Sequence, residues 1–164
     1  MKRTLVLGIG NILLGDEGAG VHVVQHLARA YADDDRVNCL DGGTLSFSLT
    51  ADIQDHDHLI VVDAALLNEK PGSVKCFEDS AMDRYLGSVR RSVHEVSLLD
   101  LMDMARLTGS LPEHRALVGI EPEFIDWSET PSAAVSTAIP VAAEQIQELI
   151  AKWRHNHPPT EDRR

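Results

Sequence analysis

Four acidic residues occupy positions where a carboxylate can do more than solvate a surface. Asp16 and Glu17 lie in a glycine-rich stretch, Asp41 precedes a Gly-Gly pair, and Asp63 closes an apolar run. Carboxylates crowded together must be protonated, hydrogen-bonded or bridged by a cation. A metal ion is the simplest bridge, and one imidazole would complete a mixed nitrogen–oxygen set suited to zinc, nickel or iron. Of eight histidines, His94 is best placed, after Arg90-Arg91-Ser92-Val93 and before a helical pattern. Each residue also has a plainer reading. Asp16 or Glu17 can start a helix, where carboxylates complement the dipole. Asp41 can be a turn aspartate, Asp63 a cap, and His94 a helix-start residue without chemical duty. Only convergence at one place separates the two readings, and that depends on the elements carrying these residues.

Those elements alternate. Arg3–Gly8 reads as a buried strand and Gly10–Gly18 as a loop. Gly20–Tyr31 reads as a helix with Val24, Leu27, Ala28 and Tyr31 on one face. Val37–Leu40 is a short second strand ending in Asp41, and Ser46–Gln54 a helix. His58–Asp63 is apolar enough to be a central, parallel third strand. Ser73–Phe77 is a fourth strand after the Pro71-Gly72 turn, and Glu95–Thr108 a helix with Gly109 past its end. Ala116–Ile120 is the last strand, and the final helix runs from about Pro140 to Trp153. The pattern predicts a single α/β domain over residues 1–153, with a mostly parallel twisted sheet and helices on both faces. Residues 154–164 read as a polar, disordered tail. In such sheets the site lies at the carboxyl ends of the strands. That rule brings Asp16, Glu17, Asp41 and Asp63 to one edge.

Composition narrows the function classes. The formal net charge of −11 disfavours nucleic acid and anionic membranes as partners. Lys2 and Arg3 before Leu5–Leu14 imitate a secretion signal, but Gly8, Gly10 and Asn11 interrupt the apolar stretch. No apolar run is long enough for membrane insertion, so the expectation is a cytoplasmic protein. Cys39 and Cys76 form no C-x-x-C pair and read as free thiols.

The segment Leu7-Gly8-Ile9-Gly10-Asn11-Ile12-Leu13-Leu14-Gly15-Asp16-Glu17-Gly18-Ala19-Gly20 closely resembles the N-terminal signature of the hydrogenase maturation endopeptidases. Asp41-Gly42-Gly43-Thr44, Val61-Val62-Asp63-Ala64, Ser92-Val93-His94-Glu95 and Gly119-Ile120-Glu121-Pro122 resemble the family's later motifs, in order, from residue 4 to about 150. Glu121 departs from the pattern, since a glutamine more usually precedes that proline.

The resemblance implies metal ligands at Glu17, Asp63 and His94. It implies substrate contacts at Gly42, Gly43 and Thr44, and leaves Asp16 and Asp41 as carboxylates able to handle protons. It implies an endopeptidase, classed with the aspartic type although metal-dependent in recognition. Such an enzyme removes the C-terminal extension of the nickel–iron hydrogenase large-subunit precursor once nickel is inserted. The nickel would arrive on the substrate, and zinc or another divalent ion could take its place.

Two rivals remain. A non-catalytic nickel chaperone could use the same ligands. A Rossmann-like dinucleotide module would share Gly8-x-Gly10 and an acid after the second strand, but Leu13 stands where a third glycine belongs. Asp16 and Glu17 would also put negative charge where a pyrophosphate needs N–H donors.

Overall fold

The computed structural model describes residues 1–89 and 97–156. Strand β1 (Thr4–Ile9) is buried along its whole length, so side chains on both of its faces need covering layers. It pairs in parallel with β2 (Val37–Gly43) on one side and β3 (His58–Ala64) on the other. Strand β5 (His114–Ile120) continues the parallel set beyond β3. Strand β4 (Val74–Glu78) adds to the far edge of β5 antiparallel, giving the order β2-β1-β3-β5-β4.

Helix α1 (Ala19–Ala30) and helix α5 (Ala133–Asn156) cover one face of the sheet. Val23, Val24 and Leu27 meet Ile146, Ile150 and Trp153 over Val6, Ile60 and Val118. Helices α2 (Leu49–Gln54), α3 (Ser80–Ser88) and α4 (Leu98–Leu107) cover the other. There Ile53, Met82 and Leu101 pack on Leu5, Leu7 and Val61. The predicted single α/β domain with a mostly parallel sheet and helices on both faces is therefore the fold observed.

Helix α1 lies unusually close to the sheet at one point. A Cβ on Gly20 would sit 2.1 Å from the Val62 carbonyl oxygen, so only glycine permits the contact. The N-terminus of α1, with the turn preceding it, is thereby fixed over the junction of β1 and β3.

Several boundaries differ from expectation for identifiable reasons. Ala28 is exposed; the inner face of α1 is instead built from Ala19, Val23, Val24 and Leu27. Strand β2 runs through Asp41 and Gly42 to Gly43, with an irregularity opposite Gly8 and Ile9. Helix α2 starts only at Leu49. Helix α3 was not foreseen, although Met82, Tyr85 and Leu86 carry the i, i+3, i+4 signal. Helix α4 begins at Leu98 rather than Glu95, because extended Ser97 and Asp100 form a reciprocal capping box. Gly109 follows α4 with φ +70°, as its position predicts.

Pro140 does not start the last helix but sits within it. Its ring is on the exposed side, and Ser136, whose carbonyl loses a helical donor, is exposed as well. The true start is Ser132, whose hydroxyl accepts from the Val135 N–H. The helix also continues through Arg154, His155 and Asn156, three residues expected in the tail. The rest of that tail, 157–164, lies outside the described residues.

Both cysteines are free and half-buried, with burial pushing each thiol up to about 11. They stand on β2 and β4, the two edge strands, with three strands between them. At about 4.8 Å per strand that separation is far beyond disulfide reach.

Asp34 ties the end of α5 to the turn before β2. Its carboxylate accepts from Arg154 at 2.6 Å and from the Arg36 Nε and backbone N–H at 3.1 Å each. Burial alone would raise its pKa, but these donors outweigh it and hold it at about 2. A depressed folded-state pKa stabilises the fold above the unfolded value, and that stability is lost as pH falls through the folded one. Asp34→Asn is expected to cost about 1–3 kcal/mol at pH 7. The gap from the unsubstituted protein should close as pH falls from about 4 towards about 2. Urea titrations across that range would check it, and a gap independent of pH would refute the ionic origin.

Candidate functional site

The order β2-β1-β3 means the chain leaves β1 toward one side and returns on the other, so a crevice opens beyond the carboxyl ends of β1 and β3. A cleft of about 1240 Å³ occupies this place. Ile9 and Gly10 at the end of β1, Asp63 and Ala64 at the end of β3, and Gly43 and Thr44 at the end of β2 all line it. Tyr85 and Leu86 of α3 and Leu98 of α4 form its apolar wall.

Glu17 and Asp63 both face this cleft. Glu17 stands in a single 3₁₀ turn, Gly15–Gly18, directly before α1. Gly10 makes that placement possible. It has φ +131°, and a Cβ on it would lie 1.9 Å from the Glu17 carbonyl oxygen. The space over the Gly8-x-Gly10 turn is thus filled by the chain's own backbone rather than left open as a phosphate cradle. Burial pushes the Asp63 carboxyl well above the usual carboxylate range. The Ala64 backbone N–H opposes that shift, while the negative charge of Glu17 adds to it. A buried carboxylate facing a second one in the same cleft suits a cation between them. Lys75 is the one cationic side chain among the described lining residues, with its Nζ 5.3 Å from the centre of the Phe77 ring.

The two other sequence-selected carboxylates do not line the cleft. Asp16 is completely buried beneath it. Its Oδ2 accepts from the Glu123 and Phe124 N–H groups and the Ser132 hydroxyl, each at 2.8 Å. Its Oδ1 accepts from the Ser132 N–H at 2.6 Å. Burial raises its pKa, but these donors outweigh that effect and keep it below the ordinary value. With both oxygens committed, Asp16 is a structural tie rather than the free proton carrier considered from the sequence. Asp41 is exposed, and its Oδ1 accepts from the Gly43 N–H at 2.8 Å. Gly42 packs against Leu7 below the cleft, so of the expected contact residues Gly43 and Thr44 face it and Gly42 does not.

His94 lies outside the described residues. Among the described residues no group of three His, Cys, Asp or Glu side chains comes together as a metal site. Glu17 and Asp63 could offer two oxygen donors to a cation, and a third ligand would have to come from elsewhere.

Tyr85 escaped the sequence reading, and Glu121 figures there only as a departure from the family pattern. Tyr85, stacked on Phe77 with ring centres 4.4 Å apart, closes the cleft's far wall. Burial raises its phenol pKa, and Asp63 and Glu121 add to the effect. Glu121 accepts a short hydrogen bond from the Leu67 N–H, fixing the loop after β3. A glutamine oxygen could make the same bond, which accounts for how a carboxylate replaces one there without disturbing the backbone.

Comparison with known proteins agrees with this architecture. The sequence profile of the HycI hydrogenase maturation proteases matches residues 21–149. The hydrogenase expression/formation protein HupD of Rhizobium leguminosarum bv. viciae is 38% identical over 152 residues, covering 92% of this chain and 75% of that protein. The hydrogenase 2 maturation protease of Escherichia coli K12 is 37% identical over 145 residues, 88% of each chain. The solved structure of the hydrogenase maturating endopeptidase HybD from E. coli superposes with a TM-score of 0.84 at 35% identity, covering 92% of this chain and 93% of that one. The chain, with its five-stranded sheet and carboxylate-lined cleft, belongs to the hydrogenase maturation protease family.

Proposed function

We propose that this protein is the endopeptidase that removes the C-terminal extension of a nickel–iron hydrogenase large-subunit precursor after nickel has been inserted. The observation that carries the reading is the pairing of Glu17 with Asp63 at the β1/β3 crevice, where burial and mutual repulsion call for a cation. Glu17, Asp63 and His94 complete the coordination of nickel that the substrate already holds. Two carboxylates and one imidazole form an open, thiolate-free set and bind nickel only moderately alone, whereas cysteine thiolates on the precursor hold it more firmly. Docking is then conditional on metal loading, and zinc or another divalent ion can occupy the same donors.

Gly43 and Thr44 lie along the cleft floor and are placed to contact the substrate chain. Asp41 is the remaining candidate for handling protons, because its Oδ1 is held by Gly43 while the carboxylate stays exposed beside the cleft. The reaction belongs in the cytoplasm, where the precursor is assembled. No helix among the described residues is long and apolar enough to cross a membrane.

Glu17→Gln, Asp63→Asn and His94→Ala should each reduce precursor processing by about 100-fold or more while leaving a folded protein, since open-site ligands contribute little to the core. Asp41→Asn should impair processing less. Asp16→Asn should instead lower the melting temperature, because an amide presents N–H groups to at least one of the four donors now facing the carboxylate. Circular dichroism melts alongside cleavage assays separate the two classes. Full activity in His94→Ala would remove it from the site.

Chelating one partner at a time gives an independent test. Metal-free protease should cut nickel-loaded precursor, and metal-loaded protease should fail on nickel-free precursor. Efficient cutting of the nickel-free substrate would instead indicate a protease with its own resident ion. A non-catalytic nickel chaperone would bind the loaded precursor without shortening it.

A further inference from the structure

Aromatic residues are scarce in this chain, with three Phe, two Trp and two Tyr. Trp153 is spent in the core at 1% exposure, whereas Trp127 is 76% exposed. It lies in the segment Glu123-Phe124-Ile125-Asp126-Trp127-Ser128-Glu129, where Phe124 is 45% and Ile125 54% exposed. The three acidic residues interleaved with them are also exposed. Among the described residues none of the three takes part in an ion pair.

The segment is firmly held despite its exposure. Asp16 fixes the Glu123 and Phe124 N–H groups, and the Phe124 carbonyl accepts from the Asp16 N–H at 2.9 Å. Ser128 donates to the Leu13 carbonyl and accepts from the Gly15 N–H, each at 2.9 Å. The facing loop adds Ile12 and Leu13, 41% and 45% exposed. Large apolar side chains are thus presented on a fixed backbone, so a partner would meet them without a large ordering cost. Tryptophan on such a surface is the residue type that most often dominates binding energy.

We infer that the 123–129 segment, together with Ile12 and Leu13, is a docking platform for the body of the substrate protein, at an apolar patch bordered by Lys or Arg. In naming that partner the proposal rests on the protease reading above. Unneutralised carboxylates around the apolar residues select a cationic counterpart. A second copy of this chain would bring the same acidic groups against each other, and an anionic lipid surface would be repelled. The platform also adjoins the cleft through one turn, Gly15–Gly18, which gives Asp16 to the platform and Glu17 to the cleft. A substrate seated on the platform would therefore have a fixed relation to the carboxylates that meet its metal.

The test uses nickel-loaded large-subunit precursor, with binding and steady-state cleavage measured for three variants of the full chain. Trp127→Ala should raise Kd and KM about tenfold, with a much smaller change in kcat. The triple variant Glu123→Gln, Asp126→Asn, Glu129→Gln should weaken binding at low salt and flatten the salt dependence of kcat/KM. Leu107→Ala, at the end of α4 away from the cleft-lining Leu98 and 88% exposed, should match the unsubstituted protein in both assays. Unchanged Kd and KM in the first two variants would overturn the proposal. So would a Trp127-dependent dimer, or Trp127-dependent binding to phosphatidylcholine vesicles, accompanied by unaltered cleavage. Precursor that binds the unsubstituted protein but is never cut would refute the protease reading, and Kd in the variants alone would then decide the platform. Precursor that neither binds nor is cut would overturn both.

Discussion

The buried carboxylate of Asp16 is the interaction on which the working end of this protein depends. A charge removed from water is strongly unfavourable unless its lone pairs are filled. Here three backbone N–H groups and one hydroxyl fill them, all from the stretch between β5 and α5. One side chain therefore fastens the loop after β1 to the segment leading into the last helix, across more than 100 residues of sequence. It also occupies the N-terminus of α5 through Ser132, where negative charge is favoured by the helix dipole. Because Glu17 is its immediate neighbour in the same short turn, fixing Asp16 fixes the backbone that presents Glu17 to the cleft.

The cleft has the opposite character. Among the described residues its carboxylates are not given a full set of donors. Among the described residues Asp63 has the Ala64 N–H to set against its burial, and the nearby charge of Glu17 makes ionisation harder still. A cation placed there would relieve that cost. The apolar wall of Tyr85, Leu86 and Leu98 strengthens this by keeping the local dielectric low. The same residue type thus stands in two settings among the described residues: Asp16 has donors for both oxygens, and at Asp63 burial outweighs the one N–H that opposes it.

Much of this was legible in the sequence, and the reasons differ by element. The apolar runs of β1 and β3 and the stripe of α4 carry their periodicity openly, so the sheet and its working edge followed from topology rules. Glu17 and Asp63 followed with them, because both sit where a central strand ends. Asp16 could not be separated from Glu17 in this way. Adjacent acids in a glycine-rich loop look alike until it is known which one the turn directs inward. The start of α5 was hidden by Pro140, a strong helix-start signal that here lies on a solvent-facing side where its missing N–H matters little. With that start misplaced, the stretch from Glu123 to Ser132 had no element to belong to, and its contacts with Asp16 were invisible. Helix α3 was missed for a lesser reason, since nine residues with one fully buried side chain give a weak pattern.

The division of labour between Asp16 and Glu17 follows from the 3₁₀ geometry of their turn. At three residues per turn, successive side chains diverge by about 120°. Two neighbouring acids can then serve opposite sides of one backbone, one buried among donors and one facing an open cleft. An α-helical turn would rotate them by about 100° and would also extend α1 by a turn toward the cleft. Gly10 and Gly18 hold the tighter arrangement, because the Glu17 carbonyl and the Ile12 backbone occupy the volume that their side chains would need. The glycines of the first loop are thus not a phosphate cradle in disguise. They are the clearance that lets a four-residue turn sit close to the end of β1, with Asp16 buried on one side and Glu17 facing the cleft on the other.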